Sequence, residues 1–351
     1  MDISKIDKNL EVKTTIDKSD ILWLDASLSP FVLYGAAGTN PYIRMPLDIA
    51  KSVNDGIYGL SKNTAGLRLR FRTDSPYIAI HCERNNGFKM PHITDAGQSG
   101  FDLYSVSKIN QQKYVATFMP PVDCGKGYDS LIDVSGEMTD YVINFPLYND
   151  VDKLYIGVQE NANFEEPAKY SNDKPVVFYG SSITQGGCAS RPGNCYQNFL
   201  SRSLNIDYIN LGFSGSGKAE DIMVEYLASL DMSVFVSDYD YNAPNAEYLK
   251  ETHYKMYKKI REKHPDMPYI MISKPDYRYN EENDNRRVVI METFTKALSE
   301  GDKNVYFIDG ASLFADDEWD ACTVDRCHPN DLGFYRFAKA IYPTIKMALK
   351  Y

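Results

Sequence analysis

Three segments in the second half of this 351-residue chain carry residue types and spacings that could do chemistry. The first, Gly180-Ser181-Ser182-Ile183-Thr184-Gln185-Gly186, follows the apolar run Val176–Tyr179. Small residues at such a strand-to-helix turn let the backbone approach a ligand and expose a hydroxyl. The same residues also make an ordinary turn with a helix cap. The second, Gly212–Lys218, is nearly a phosphate-binding loop and lies after a strand and before a helix, where one belongs. However, Ala219 stands where a hydroxyl should reach magnesium, and the loop follows the second strand rather than the first, so a flexible glycine turn is the alternative. The third runs from Asp325 to Gly333. An Asp three residues before a His, just ahead of a helix, can set its carboxylate against Nδ1 and leave Nε2 to take a proton. A capping Asp with an incidental His gives the same spacing. His253 and His264 fall in or at the end of a polar helix and His81 and His92 in the first half, so surface or packing roles are expected for them.

Two different rhythms must position these segments. In the first half Leu67, Leu69 and Phe71 alternate with Arg68, Arg70 and Arg72, the period-two signature of a half-buried strand. Short runs follow at Tyr77–His81, Tyr141–Phe145 and Leu154–Val158, separated by turn-forming residues, and no amphipathic helix is expected among them. In the second half apolar runs at Val176–Tyr179, Ile206–Leu211, Ser233–Val236, Tyr269–Ile272 and Val305–Ile308 alternate with helical stretches. The clearest of these are Ala246–Lys263 and the stretch from Pro329 to the C-terminus. The alternation predicts an α/β fold with a parallel sheet, whose reactive groups gather at the carboxyl ends of the strands. The polar segment Asn161–Lys174 reads as the junction, giving an all-β domain over 1–170 and an α/β domain over 171–351.

Together the three loops resemble the SGNH hydrolases, also called the GDSL family, over roughly residues 175–350 and in that family's order. Gly180-Ser181-Ser182-Ile183 looks like the Gly-Asp-Ser block, Gly215 matches the second-block glycine, and Asp325-x-x-His328 matches the final block. The resemblance implies a flavodoxin-like three-layer sandwich with a five-stranded parallel sheet, and a catalytic triad of Ser182, Asp325 and His328. It also implies an oxyanion hole made by the backbone N–H groups of Ser182 and Gly215 and by a side-chain amide. Asn242 is the first choice for that amide and Asn245 the fallback. Two departures stand out. Ser181 occupies the place of the usual Asp, and the third block, usually Gly-x-Asn-Asp, reads Asp240-Tyr241-Asn242-Ala243. In the first half, Gly100-Phe101-Asp102-Leu103-Tyr104 is similar to the GxDLY signature of the jelly-roll-like β-domain that precedes some bacterial SGNH esterases. The α/β-hydrolase alternative is excluded, because neither Gly180–Thr184 nor Gly212–Ser216 supplies the second glycine of a G-x-S-x-G elbow.

The expected reaction is hydrolysis of short acyl esters, acetyl groups on oligosaccharides first among them. His328 would take the Ser182 proton as the hydroxyl attacks the carbonyl, with no cofactor and no metal required. Esterase or lysophospholipase action on other acyl esters, nucleotide binding at Gly212–Lys218, and a catalytically silent carbohydrate-binding protein are the competing readings. The 27 Tyr and 16 Phe offer faces for stacking on sugar rings. A formal net charge of -10 disfavours nucleic acid and anionic membrane as partners. The 43% hydrophobic and 25% charged content is that of a globular chain, which argues against disorder. The first twenty residues are polar and show no export signal, so a cytoplasmic location is expected. Accordingly Cys82, Cys124, Cys188, Cys195, Cys322 and Cys327 read as reduced thiols, and their spacing does not predict a zinc site.

Overall fold

The computed structural model describes residues 12–85, 87–275, 280–314 and 318–350, so the first eleven residues of the polar N-terminal segment read above lie outside the described residues. Two compact units emerge, and neither is continuous in sequence. One runs to Arg44, resumes over Lys62–Lys169 and includes Ser190–Gly193; the other takes Met45–Ser61, Tyr170–Ala189 and the chain from Asn194. Two segments therefore lie outside a contiguous split at 170/171. Met45–Ser61 carries two short helices, α1 (Leu47–Val53) and α2 (Asp55–Leu60), which differ from the helix-free first half expected above. Met45, Ala50 and Ile57 are fully buried in the second unit's core, and that burial is what holds helices only two turns long.

In the first unit the strands are β1 (Ile21–Asp25), β2 (Val32–Tyr34), β3 (Gly38–Thr39), β4 (Tyr42–Ile43), β5 (Arg68–Thr73) and β6 (Tyr77–Glu83). A short helix α3 (Asp95–Ser99) precedes β7 (Phe101–Val106), β8 (Gln112–Phe118), β9 (Gly127–Asp133), β10 (Thr139–Asn144), β11 (Lys153–Gln159) and β12 (Phe164–Glu165). They form an antiparallel sheet in the order β1-β11-β6-β9 and a second in the order β12-β5-β10-β7-β8, with β2 also on β5. One core takes Leu24, Ile80 and Ile156 from the first sheet and Leu69, Phe71, Leu103 and Ile143 from the second. The alternation along β5 sends Leu69 and Phe71 inward as expected, but Arg68 and Arg70 are buried too, so this strand is covered on both faces.

The GxDLY segment opens β7. Asp102, with no exposed surface, accepts the Asn144 amide at 2.8 Å, the Arg191 guanidinium at 2.7 Å and the Gly193 N–H at 2.8 Å. Those last two bonds, with Arg191 lying over the Tyr114 ring at 4.0 Å, make Ser190–Gly193 part of the first unit.

The second unit holds five parallel strands, β13 (Val176–Gly180), β14 (Tyr208–Gly212), β15 (Val234–Asp238), β16 (Tyr269–Ile272) and β17 (Val305–Ile308), in the order β14-β13-β15-β16-β17. Counted within the sheet this is 2-1-3-4-5, the flavodoxin-like order, whose switch point lies between β13 and β15. The helices are α4 (Ser182–Gln185), α5 (Tyr196–Leu204), α6 (Asp221–Ser229), α7 (Ala246–Lys263), α8 (Glu281–Ser299) and α9 (Asp331–Ala348). Neighbouring residues of β13 show that both faces are covered. Tyr179 joins the core built with Met223 and Leu227 of α6 and Leu249 and Ile260 of α7. Phe178 points the other way and meets Tyr196 of α5, which in turn stacks on Phe334 and Phe337 of α9. No helix among the described residues is long and apolar enough to cross a membrane. The six cysteines are free thiols, and all but Cys327 are buried.

Candidate active site

Gly180 ends β13 and Ser181 turns the chain into α4. The Ser181 backbone is extended, and its Oγ caps the helix by accepting the Ile183 N–H at 3.2 Å. Ser182 is thus the first helical residue at the carboxyl edge of the sheet, 8% exposed. Its Oγ lies 2.8 Å from His328 Nε2, and His328 Nδ1 lies 2.7 Å from Asp325 Oδ2. A carboxylate can only accept, so Nδ1 carries the proton and Nε2 is left to receive the serine hydroxyl's. The other Asp325 oxygen accepts the N–H groups of Cys327 at 3.1 Å and His328 at 2.8 Å. Burial alone would raise the Asp325 carboxyl, but the bonds from His328 and Cys327 hold it below its ordinary value. It therefore stays anionic beside the ring.

The loop bearing this pair is closed by backbone. Val324 N–H donates to His328 O at 3.0 Å, Thr323 bridges Pro329, and Cys188 N–H donates to Pro329 O at 2.8 Å. The last bond ties the segment after α4 directly to the His328 loop. Asn330 caps α9 by accepting the Gly333 N–H at 3.1 Å, which leaves Pro329 just outside the helix rather than at its first position.

The Gly212–Gly217 loop faces α4, and Ser214 N–H donates to Gln185 Oε1 at 3.1 Å. Gly215 has φ +64, a conformation L side chains rarely adopt, with open space where a Cβ would point. Its N–H has no partner among the described residues. Asn242 follows β15 and is buried, and its Nδ2 donates to Phe213 O at 2.8 Å and to Gly217 O at 2.9 Å. Both amide hydrogens thus brace the loop that presents Gly215. Asn245 is a helix cap, its Oδ1 accepting the Tyr248 N–H at 2.9 Å at the start of α7.

The phosphate-loop reading of Gly212–Lys218 meets a physical obstacle. The Ser216 and Gly217 N–H groups donate to Phe213 O, and the Ala219 N–H to Tyr179 Oη. Lys218 N–H donates to the Glu220 carboxylate at 3.1 Å, and the Asn54 amide fixes that carboxylate at 2.8 Å. Apart from Gly215, the loop's donors from Ser214 to Ala219 are engaged, and the Glu220 carboxylate already holds the Lys218 N–H. The helical histidines pack as expected. His253 is buried, stacks on Tyr239 and bonds Thr293 at 2.9 Å, and burial pushes its ring down to about 3.

Residues 173–346 match the GDSL-like lipase/acylhydrolase family, and residues 21–164 match GxDLY, the N-terminus of SGNH hydrolase-type esterases. A crystal structure from Bacteroides ovatus, described as a GDSL-like lipase, is 31% identical, with a TM-score of 0.85 over 94% of this chain and 98% of that one. The chain belongs to the GDSL-like lipase/acylhydrolase family. As an SGNH-type enzyme it is a carboxylic ester hydrolase. Two further structures share the GDSL fold at lower identity. A salicylyl-acyltransferase from a tetracycline biosynthetic pathway is 17% identical with a TM-score of 0.78, covering 94% of this chain and 98% of that one. An acetyl xylan esterase from the rumen bacterium Butyrivibrio proteoclasticus is 14% identical with a TM-score of 0.57, covering 95% and 99%. None of the curated proteins compared matches.

Motif reading of a GDSL block does not reveal the polar groups beneath the nucleophile turn. Thr184 O accepts both Gln197 Nε2 and Asn210 Nδ2, each at 2.7 Å. Asp238, the last residue of β15, is buried and accepts Tyr196 Oη at 3.2 Å and the Thr184 hydroxyl. The one trace of it in the sequence is an acidic residue closing an apolar strand.

Proposed function

We propose that this esterase removes acetyl groups from oligosaccharides through an acyl-enzyme on Ser182. The observation that carries the reading is the continuous chain from Ser182 Oγ to His328 Nε2 and from Nδ1 to Asp325. As Oγ bonds to the ester carbonyl carbon, its proton passes to Nε2, and Asp325 stabilises the imidazolium that forms. The carbonyl oxygen becomes an oxyanion held by the Ser182 and Gly215 N–H groups, with Asn242 keeping the Gly215 loop in place. Collapse of the tetrahedral species breaks the bond to the sugar oxygen, which leaves with the proton from Nε2. Water then gives a proton to Nε2 as its oxygen adds to the acyl carbon. This second tetrahedral species collapses, the Oγ–carbon bond breaks, Oγ takes the proton back from Nε2, and acetic acid leaves, ionising to acetate in solvent. An Asn242 amide that turned to the oxyanion would first have to leave Phe213 or Gly217.

The sugar and the acetyl group are supported by the fold shared with an acetyl xylan esterase. The test compares kcat/KM for acetylated xylo-oligosaccharides with that for p-nitrophenyl esters of increasing chain length. Acetyl should be favoured over butyryl and longer chains, with efficient release of acetate from at least one acetylated sugar. Preference for octanoyl or lysophospholipid substrates would contradict the substrate while leaving the triad in place.

A further inference from the structure

We propose that Asp238 is the positioning residue of the nucleophile, its buried carboxylate gripping the Gly180–Thr184 turn so that Ser182 Oγ stays aimed at His328. The inference rests on the reading of Ser182 given above. Asp238 ends β15 in register with Gly180, at the end of the neighbouring strand. One oxygen takes the Thr184 hydroxyl and the other Tyr196 Oη, and the Ser181 N–H adds a third bond. The turn is thus held one residue before Ser182 and two after it. A Cβ on Gly180 would lie 2.1 Å from both Asp238 Oδ1 and Thr184 Oγ1, so the carboxylate packs directly against the turn's backbone.

Both ends of the grip are anchored. Thr184 is fixed by its hydroxyl on Asp238 and by its carbonyl under Gln197 and Asn210. Tyr196 stacks on Phe337 with ring centroids 4.4 Å apart, and Phe337 belongs to the helix that begins three residues after His328. One carboxylate thereby references the nucleophile turn and the helix behind the base to a common point. Ser181, standing where the family has an acid, accepts the Ile183 N–H on its hydroxyl oxygen, and the acid that holds this turn comes from the next strand.

The converging donors seat an anion; protonation would turn one acceptor oxygen into a donor and force the hydroxyl facing it, that of Thr184 on Oδ1 or of Tyr196 on Oδ2, to reverse. Burial pushes the Asp238 carboxyl up to about 7 against the pull of those donors. The titratable groups facing it are Tyr196 from α5 and Asp240 two residues on, and Asp240 accepts the Lys274 N–H and lies near Arg286.

The test is Asp238→Asn in the full-length enzyme on an activated acetate ester, with Ser182→Ala in parallel. A nucleophile displaced by about 1 Å loses on the order of a hundredfold, so kcat should fall ~10- to 100-fold with KM nearly unchanged. The acid limb of log kcat/KM should be one proton less steep in Asp238→Asn than in the wild type, where the Asp238 carboxylate must be ionised to take its donors. If Asp238→Asn does not fold, Thr184→Val removes one grip alone and should show the same fall in kcat. Wild-type kcat in either variant overturns the inference, as does a fall in kcat with an unchanged acid limb, which marks ordinary damage. An inactive Ser182→Ala beside a fully active Asp238→Asn discards only this role. An active Ser182→Ala discards the nucleophile itself.

Discussion

The Arg191 guanidinium donates to the Asp102 carboxylate at 2.7 Å, and Asp102 has no exposed surface while Arg191 keeps 21% of its side chain in solvent. The motif acid of the β-unit is therefore a structural anchor for Ser190–Gly193. Removing it leaves the Asn144 amide, the Gly193 N–H and a guanidinium without their acceptor.

Asp102→Ala should accordingly destabilise the protein by about 3–5 kcal/mol, the usual penalty for breaking a buried charged pair from one side. Chemical denaturation of the variant against wild type measures it. A change under about 0.5 kcal/mol, typical of a surface position, would show that the pair contributes little.

Asn242 and Asn245 should separate cleanly. Asn245→Ala removes a helix cap and should cost about 0.5–2 kcal/mol of stability with kcat unchanged. Asn242→Ala frees the Phe213–Gly217 turn, and with it the Gly215 N–H, so kcat should fall by about 10²–10³ while KM moves little. Steady-state kinetics on both variants decide, and the reverse ranking would reassign the third block.

Stability and activity should respond to pH in opposite directions. Burial raises the carboxyls of Asp238 to about 7 and Asp240 to about 6, against an unfolded value near 3.9. Between those values the native state holds more protons than the unfolded chain. This contribution is complete below pH ~4 and is lost as pH rises through ~6–7, at up to ~1.4 kcal/mol per unit for each group. Asp325, held below its ordinary value, acts with the opposite sign in more acidic solution. Denaturant titrations at pH 5, 6 and 7 should therefore show a shallower decline in Asp240→Asn than in wild type. Identical slopes would contradict the burial argument.

Much of the site was legible because it is local. Asp325 and His328 sit three residues apart on one turn, and the apolar runs before Ser182 and Gly212 mark strands whose carboxyl ends must carry the chemistry. What pairwise distance in sequence hides stayed hidden. Asp238 and Thr184 are 54 residues apart, and no local pattern ties them together. The partners of Asn242 are carbonyls, which every residue has, so residue type alone could not distinguish a brace from a donor. Met45–Ser61 was read with the β-half because two-turn helices show too little periodicity to reveal which core Ala50 and Ile57 join. Period two along β5 separated Leu69 from Arg70 correctly, yet could not show that the arginine face is covered as well.

Exhaustive chelation should leave turnover unchanged, since the proton relay from Ser182 to His328 is built from side chains alone. Activity lost with EDTA and restored by zinc would replace the triad with a metal-bound nucleophile.

Acylation of Ser182 Oγ can be observed directly. Acid-quenched reactions with p-nitrophenyl acetate, digested and read by peptide mass spectrometry, should show one acetylated site at Ser182 that forms in the burst and disappears as substrate is exhausted. Ser182→Ala should show neither burst nor adduct while remaining folded. An adduct on Ser181 or Cys188 in the wild type, or turnover that persists in Ser182→Ala, would rule out Ser182 as the nucleophile.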